Sequence, residues 1–221
     1  KVKLIGNAHQ LLSQINDLDV DVVFNIAEGQ AGRNRESQVP LLLEMHRIPF
    51  VASDALALGL TLDKLMAKKC FMADGIPTPR YFATMSTENL EAQNHIGFPL
   101  MVKPCYEGTS KGISSQSRVE DYAGLKRQVK LVVDNYRQSA LVEEFIKGSE
   151  FTVVVFGNEH PEPMPVIQYA INNKTDLGNE FYTFQRVKDE SVKYICPAPI
   201  PEALTKTLQA IAVQAYASVH C

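Results

Sequence analysis

Pro99-Leu100-Met101-Val102-Lys103-Pro104-Cys105-Tyr106-Glu107-Gly108-Thr109-Ser110-Lys111-Gly112-Ile113-Ser114-Ser115 is the stretch on which the reading of this chain turns. Its short apolar opening, Leu100 to Val102, predicts a buried strand that Lys103 and Pro104 close. The residues after it, Glu107 to Gly112, form a loop of small side chains with two hydroxyls, one lysine and two glycines. Glycines allow positive φ and close backbone approach, so successive N–H groups can converge on an anion. Lys103, at the strand end, is placed to meet a second phosphate. Taken alone, the stretch also fits a hairpin with a solvated lysine. The flanking sequence decides between the two.

Outward from the loop, Val119 to Tyr136 predicts a helix, with Tyr122, Leu125, Val129, Val132 and Tyr136 recurring on one face as core. Ala140 to Ile146 predicts a strand ending in Glu143-Glu144-Phe145-Ile146, where paired glutamates are usually exposed. On the other side, Thr61 is the predicted N-cap of a helix from Leu62 to Ala73, ended by Gly75. Lys64 then falls in the first turn, where the helix dipole favours phosphate, although by itself it reads as a surface lysine. Lys68 and Lys69 are assigned to a solvated face. Arg80 to Thr84 predicts a strand and Ser86 to Ile96 a capped helix.

Nearer the ends the pattern is coarser. Val2–Ile5 and Asp21–Ile26 predict parallel strands joined by a helix from His9 to Asp17. Glu28-Gly29-Gln30-Ala31-Gly32-Arg33 is a loop at a strand's carboxyl end, where open α/β sheets bind ligands. A helix from Val39 to His46, with Pro40 tolerated in its first turn, and a strand from Ile48 to Val51 follow. Toward the carboxyl end, Phe151–Phe156, Met164–Ile171 and Val192–Cys196 predict one antiparallel sheet. Asn172 to Glu180 reads as a loop, and Pro201 opens a final helix with Leu204, Leu208, Ile211 and Ala215 on one face.

The composition is that of an ordinary globular protein, 45% hydrophobic and 21% charged over 221 residues. A net charge of -3 argues against a nucleic-acid partner held by phosphate neutralisation. No apolar run approaches the roughly 18 residues of a membrane span, and no signal peptide is expected for this chain. The four cysteines (Cys70, Cys105, Cys196, Cys221) lack metal spacing, which favours reduced thiols in a cytoplasm. Cys105 lies beside the loop but has no neighbouring base, and reads as a small buried residue. The five histidines form no ligand pair, so no zinc site is expected.

Several ordered pieces together resemble the ATP-grasp ligases, in their D-alanine–D-alanine ligase-like branch. They are Leu62-Asp63-Lys64 with Lys68, Gly75-Ile76-Pro77-Thr78-Pro79, Val102-Lys103-Pro104 and Glu107-Gly108-Thr109-Ser110-Lys111-Gly112. Leu141-Val142-Glu143-Glu144-Phe145-Ile146 and Gly148-Ser149-Glu150-Phe151-Thr152-Val153 complete the set. The resemblance runs from about Asp21 to Cys221. It implies an α/β (α+β) chain with a partial ATP-grasp fold and a remnant of an N-terminal parallel-sheet domain. Its divisions would be 1–57, 58–145 and 146–221.

The implied activity is ATP-dependent carboxylate–amine ligation through an acylphosphate. The resemblance makes Lys64, Lys103, Glu107, Gly108, Ser110 and Lys111 phosphate-side residues, with Lys103 and Ser110 the catalytic candidates. It further implies that Glu143, Glu144, Phe145 and Ile146 hold adenine and that Glu150 accepts from the ribose hydroxyls. Glu28, Arg33, Arg186 and Lys188 are the substrate-side candidates. The expected partners are ATP with Mg2+ and a small amino acid or other carboxylate, and a homodimer is compatible with the resemblance.

Departures from the family pattern carry expectations of their own. Glu28 stands where the family has a histidine, and the segment Phe181 to Lys188 lacks an acidic residue and displaces a lysine. Arg33 and Arg35, if they face the cleft, predict an acidic or larger carboxylate substrate; otherwise they are surface residues paired with Glu36. Both ends of the family pattern are missing, with the magnesium ligands expected beyond Cys221. The expectation is therefore a truncated, inactive piece of a ligase, and the rival reading is a non-catalytic ATP-binding module. A ligase-like enzyme with a non-amino-acid acceptor stays open as well.

Overall fold

The computed structural model describes residues 1–221, apart from the side chains of Val187 and Lys188. Its first layer is small. Helix α1 (Ala8–Gln14) is fixed by a capping box: Asn7 Oδ1 accepts from the amides of His9 and Gln10, and the Asn7 amide donates to Gln10 Oε1. Strand β1 (Val23–Phe24) pairs in parallel with β2 (Phe50–Val51), and α2 (Gln38–Met45) crosses between them. Leu11, Ile15, Val39 and Leu43 are the buried core of this lobe. The strand expected at Val2–Ile5 is absent, and Val2 and Leu4 are exposed. Its β-branched residues have no strand beside them to take the ladder bonds that a strand requires.

Two helices replace the one expected around residue 62. Helix α3 (Ala55–Leu62) ends with the Thr61 hydroxyl donating to the Ala57 carbonyl at 2.7 Å, so Thr61 is no N-cap. Asp63 is the cap, its Oδ1 accepting from the amides of Leu65 and Met66 at the start of α4 (Lys64–Ala73). A carboxylate wins here because it satisfies free N–H groups and also meets the positive end of the dipole.

The central sheet is antiparallel, in the order β3 (Tyr81–Thr84), β6 (Ala140–Glu144), β4 (Leu100–Pro104), β5 (Arg118–Val119). Between β3 and β4 lies α5 (Leu90–Gln93), far shorter than the helix expected over Ser86–Ile96. Asn89 is left-handed at its start, and the Asn94 side chain captures the amides of Ile96 and Gly97 at its end. Such local side-chain bonds compete with helix propagation. Helix α6 (Tyr122–Tyr136) is capped by Asp121 and lays Leu125, Val129 and Val132 on the sheet. They meet Leu100, Val102, Ala140 and Val142, which alternate along β4 and β6. The intervening residues, Met101 and Lys103 paired with Glu143 and Leu141, stand on the opposite face, toward α4.

The third layer holds β7 (Phe151–Thr152), β8 (Val155–Phe156), β9 (Glu162–Pro163), β10 (Ile167–Ile171) and β11 (Val192–Ile195). The sheet runs β11-β10-β7, while β8 leaves it to form a hairpin with β9. The single strand expected over Phe151–Phe156 is thus divided. The hairpin turns at Gly157, where φ is +121° and a Cβ would lie 2.7 Å from the His160 carbonyl oxygen, so only glycine fits. Helix α7 (Glu202–Ser218) follows Pro201 as expected, yet no residue of it is fully buried. Among the described residues no helix is long and apolar enough to cross a membrane.

Leu125, wholly buried between α6 and the sheet, and Leu204, 39% exposed on α7, should separate cleanly on truncation. Leu125→Ala is expected to cost about 2–5 kcal/mol, and Leu204→Ala less than about 1 kcal/mol. Chemical denaturation of both variants measures the difference; equal losses would contradict this division of the core.

Candidate functional site

A cavity of about 320 Å³ opens where the end of β4, the junction of α3 with α4 and the loop 107–112 meet. Lys64 and Lys103 line it, together with Glu107, Gly108, Ser110 and Lys111 of the loop. The six residues that the sequence assigned to the phosphate side therefore share one concavity. Glu36 reaches it from the first lobe, and no sequence pattern had singled out that residue for the site. Lys64 arrives through the helix start: its amide donates to the Cys105 carbonyl at 3.1 Å, which ties α4 to the end of β4.

Below the cavity lies a buried charge cluster. The Glu143 carboxylate pairs with Lys103 through Oε1 and with Lys68 through Oε2 at 3.0 Å. Lys68 also donates to Thr78 Oγ1 at 2.7 Å and to the Pro79 carbonyl at 3.0 Å, and its ammonium lies 4.8 Å from the Tyr81 ring centre. The expected solvated face fails for Lys68, which is 7% exposed, while Lys69 is exposed. The reason lies in the register: β6 puts Glu143 beneath Lys68, one helical turn from Lys64, and a buried carboxylate needs cationic partners. Glu143 consequently sits behind Lys103 rather than at the cavity wall.

Lys64 is the less compensated cation. Its Nζ donates to the Glu107 carbonyl oxygen, and among the described residues no carboxylate forms an ion pair with it. Burial, reinforced by the Lys103 charge, lowers its pKa to about 8. Burial also raises the Glu36 carboxyl, with Arg35 opposing it and Glu28 adding to it. Cys105 is wholly buried, and burial pushes its thiol up to about 12, so it stays protonated and inert, as its small size and lack of a base suggested.

The loop has an internal frame. Glu107 Oε2 takes Arg35 Nη2 and Lys111 Nζ, each at 3.2 Å, and Oε1 accepts from Gln138 Nε2 at 2.9 Å. Gln138 Oε1 in turn accepts from the Tyr106 amide. Thr109 and Ser110 are left-handed, and the Thr109 hydroxyl donates to Glu28 Oε1. At Gly112, with φ +84°, a Cβ would lie 2.4 Å from Pro104 Cγ. Beyond it the Ile113 carbonyl accepts from the Phe184 amide at 3.2 Å, joining the loop to the 181–188 segment.

The other expected site residues lie apart from this cavity. Glu144 pairs with Arg80 at 3.2 Å near the surface. Phe145 packs edge-on against Phe181 with Arg118 over its ring, and Ile146 is exposed. Glu150 accepts from the Tyr182 amide at 3.1 Å, and burial raises its carboxyl. Arg186 is bound to Glu180 at 2.6 Å and to the Phe181 carbonyl. Lys188 lies outside the described side chains.

Neither Arg33 nor Arg35 pairs with Glu36, and neither lines the cavity. Arg33 pairs with Asp63 at 2.8 Å and lies over the Tyr106 ring, and Arg35 is consumed by Glu107 and the Tyr106 carbonyl. Both guanidiniums are thus paired within the fold, with Asp63 and Glu107. Gln138 and Arg35 carry no local pattern that could have placed them at the loop, because their contacts span 31 and 72 positions.

Among the described residues no group of three or more His, Cys, Asp or Glu side chains converges as a metal site.

A family model described as D-ala D-ala ligase C-terminus matches residues 70–221. A D-alanine–D-alanine ligase of Herminiimonas arsenicoxydans is 32% identical, over 97% of this chain and 63% of its own length. The uncharacterized protein y4sG of Sinorhizobium fredii is 34% identical, over 90% of this chain and 58% of its own. The chain thus spans about three-fifths of the length of such relatives. Among solved structures, the VanG D-Ala:D-Ser ligase of Enterococcus faecalis matches with a TM-score of 0.71 at 24% identity, over 92% of this chain and 57% of that one. The D-alanine–D-alanine ligase of Bacillus anthracis complexed with ATP has the same score and identity, over 97% and 65%.

The depressed Lys64 pKa fixes the sign of a pH effect. Between about 8 and 10.5 the unfolded chain holds a proton on this amine that the folded chain has released, so stability rises with pH across that window. Lys64→Met removes the titrating amine and should flatten the rise. Denaturant titrations at pH about 7.5 and about 9.5 check it, an unchanged slope in the variant assigning the rise to other groups.

Proposed function

The chain belongs to the D-alanine–D-alanine ligase family, and from that premise we propose that residues 61–153 bind ATP for carboxylate–amine ligation. Its fold is that of the ATP-grasp ligases, as the sequence led one to expect. The observation that carries the nucleotide assignment is the meeting of Lys64, Lys103 and the glycine-containing loop at one cavity. Two cations and a run of small residues suit a polyanion with close backbone approach.

In the proposed reaction a substrate carboxylate oxygen attacks the γ-phosphorus, forming an acylphosphate and releasing ADP. An amine then attacks the carbonyl carbon and phosphate leaves. Lys64 and Lys103 offset charge on the phosphoryl oxygens, and Ser110 and Lys111 lie on the loop that excludes water. Glu143 orients Lys103 from beneath. Adenine lies along Glu144 to Ile146, with Glu150 accepting from the ribose. Glu28, next to Thr109, faces the amino-acid or other carboxylate substrate. Magnesium would accompany the triphosphate and offset part of its charge. The proposal also includes lobes at 1–57, 58–145 and 146–221, a reducing cytoplasmic setting and a homodimer.

Calorimetric titration with ATP tests the assignment. Lys103→Ala should weaken binding roughly tenfold to a hundredfold, the value of a charge-assisted phosphate contact of about 1.5–3 kcal/mol. Lys69→Ala, on the exposed side of α4, should change little. Equal effects would remove the assignment.

A second test uses the proton on Lys64. A triphosphate beside this amine favours its charged form, so binding at pH about 8 should draw a proton onto the protein. Titrations in two buffers of different ionisation enthalpy should give a net uptake that Lys64→Arg abolishes, since a guanidinium is always charged. The same uptake in the variant would place the phosphates elsewhere.

A further inference from the structure

We propose that Arg35, in the first lobe, is a positioning residue that holds the loop 107–112 in its phosphate-accepting shape. The function it serves rests on the ATP-binding reading above, but the geometry stands by itself. The Arg35 side chain is 10% exposed and that of Glu107 is 9% exposed, so their ion pair is shielded from water and from salt. The guanidinium grips the loop twice. Nη1 donates to the Tyr106 carbonyl at 2.8 Å, and Nη2 reaches Glu107 Oε2 at 3.2 Å. Two donors on a rigid plane fix the backbone at Tyr106 and the direction of the Glu107 side chain together.

Arg35 is itself fixed from behind. Its Nη1 also donates to the Gly32 carbonyl at 3.4 Å. Gly29, at φ +67°, lies so close that a Cβ there would meet the Arg35 carbonyl oxygen at 2.6 Å. The loop from Glu28 to Gly32 is thus folded onto the Arg35 backbone, and its Gly32 carbonyl holds one guanidinium nitrogen.

The consequence for the cavity follows from what Glu107 holds. With Arg35 in place, the Glu107 carboxylate is turned to Lys111 and Gln138, while its backbone carbonyl accepts from Lys64 Nζ. Removing the guanidinium leaves that carboxylate with Lys111 as its remaining cation, and Lys111 is half exposed. The loop then loses both its backbone tether at Tyr106 and the fixed direction of Glu107. The turn closed by the Lys111 amide on the Gly108 carbonyl is then no longer anchored at its start. Arg35 acts through Glu107 and Tyr106, without touching nucleotide.

Limited trypsin digestion without nucleotide reads the loop directly, because Lys111 is a cleavage site within it. In Arg35→Met, which keeps much of the stem, cleavage after Lys111 should quicken about tenfold or more well below the melting temperature, and Arg35→Lys should recover part of the protection. ATP affinity measured by calorimetry on the same proteins should fall about tenfold in Arg35→Met and partly recover in Arg35→Lys. Glu107→Gln serves as a second variant if Arg35→Met does not fold, with the same direction expected in both readouts. A lowered melting temperature with unchanged Lys111 cleavage and unchanged ATP affinity would overturn the proposal. If the unaltered protein fails to bind ATP, the nucleotide reading falls, and the cleavage rates still decide whether Arg35 shapes the loop.

Discussion

Antiparallel pairing of β4 with β6 brings Lys103 level with Leu141 and Met101 level with Glu143. Because side chains alternate across a strand, that register sorts the sheet into two unlike faces. One carries Leu100, Val102, Ala140 and Val142 onto α6, and burial there supplies the hydrophobic stabilisation. The other carries Lys103 and Glu143 toward α4, where Lys68 completes the cluster. A slip of one residue would bury the lysine against α6 and turn the valines toward the cavity. The hydrophobic face therefore enforces the position of the charged one.

The charges on that second face are balanced unevenly. Glu143 is shared by Lys68 and Lys103, and Glu107 by Arg35 and Lys111. Shielded groups of this kind contribute modestly to net stability, since desolvation offsets most of their attraction, but leaving one unpaired is costly. They fix geometry more than they add stability. Lys64 is the exception, bound to a backbone carbonyl and with its pKa depressed. A cavity in which every cation was already matched would gain little from an arriving anion. Lys64 leaves one charge for which an anionic ligand is the natural partner.

The first lobe contributes more to this cavity than its small core suggests. Glu28 meets Thr109, Glu36 reaches the cavity wall, and Arg33 holds the capping carboxylate of α4. Each of these joins the segment 28–36 to residues of the helix junction or the loop. The loop 107–112 is consequently supported from two directions, by the turn between α6 and β6 through Gln138 and by the first lobe through Arg35.

Local chemistry alone determined a good deal. The apolar run at Leu100–Val102, the 3.6-residue stripe of Leu125, Val129 and Val132, and the placement of Lys64 in a first turn follow from periodicity and capping. So does the small-residue loop after Lys103, and these pieces in order identified the family. Competing local bonds explain some misreadings: Asp63 outranked Thr61 as a cap, and Asn94 cut short the helix after Ser86. Tertiary structure alone decided which charges meet. Lys68 and Lys69 are adjacent in sequence, yet the first is buried on Glu143 and the second exposed, because only the register of β6 beneath α4 distinguishes them. Arg35 and Glu107, 72 positions apart, form a shielded pair for the same reason. Periodicity reports how a side chain sits on its own element, whereas an ion pair depends on where two elements come to lie.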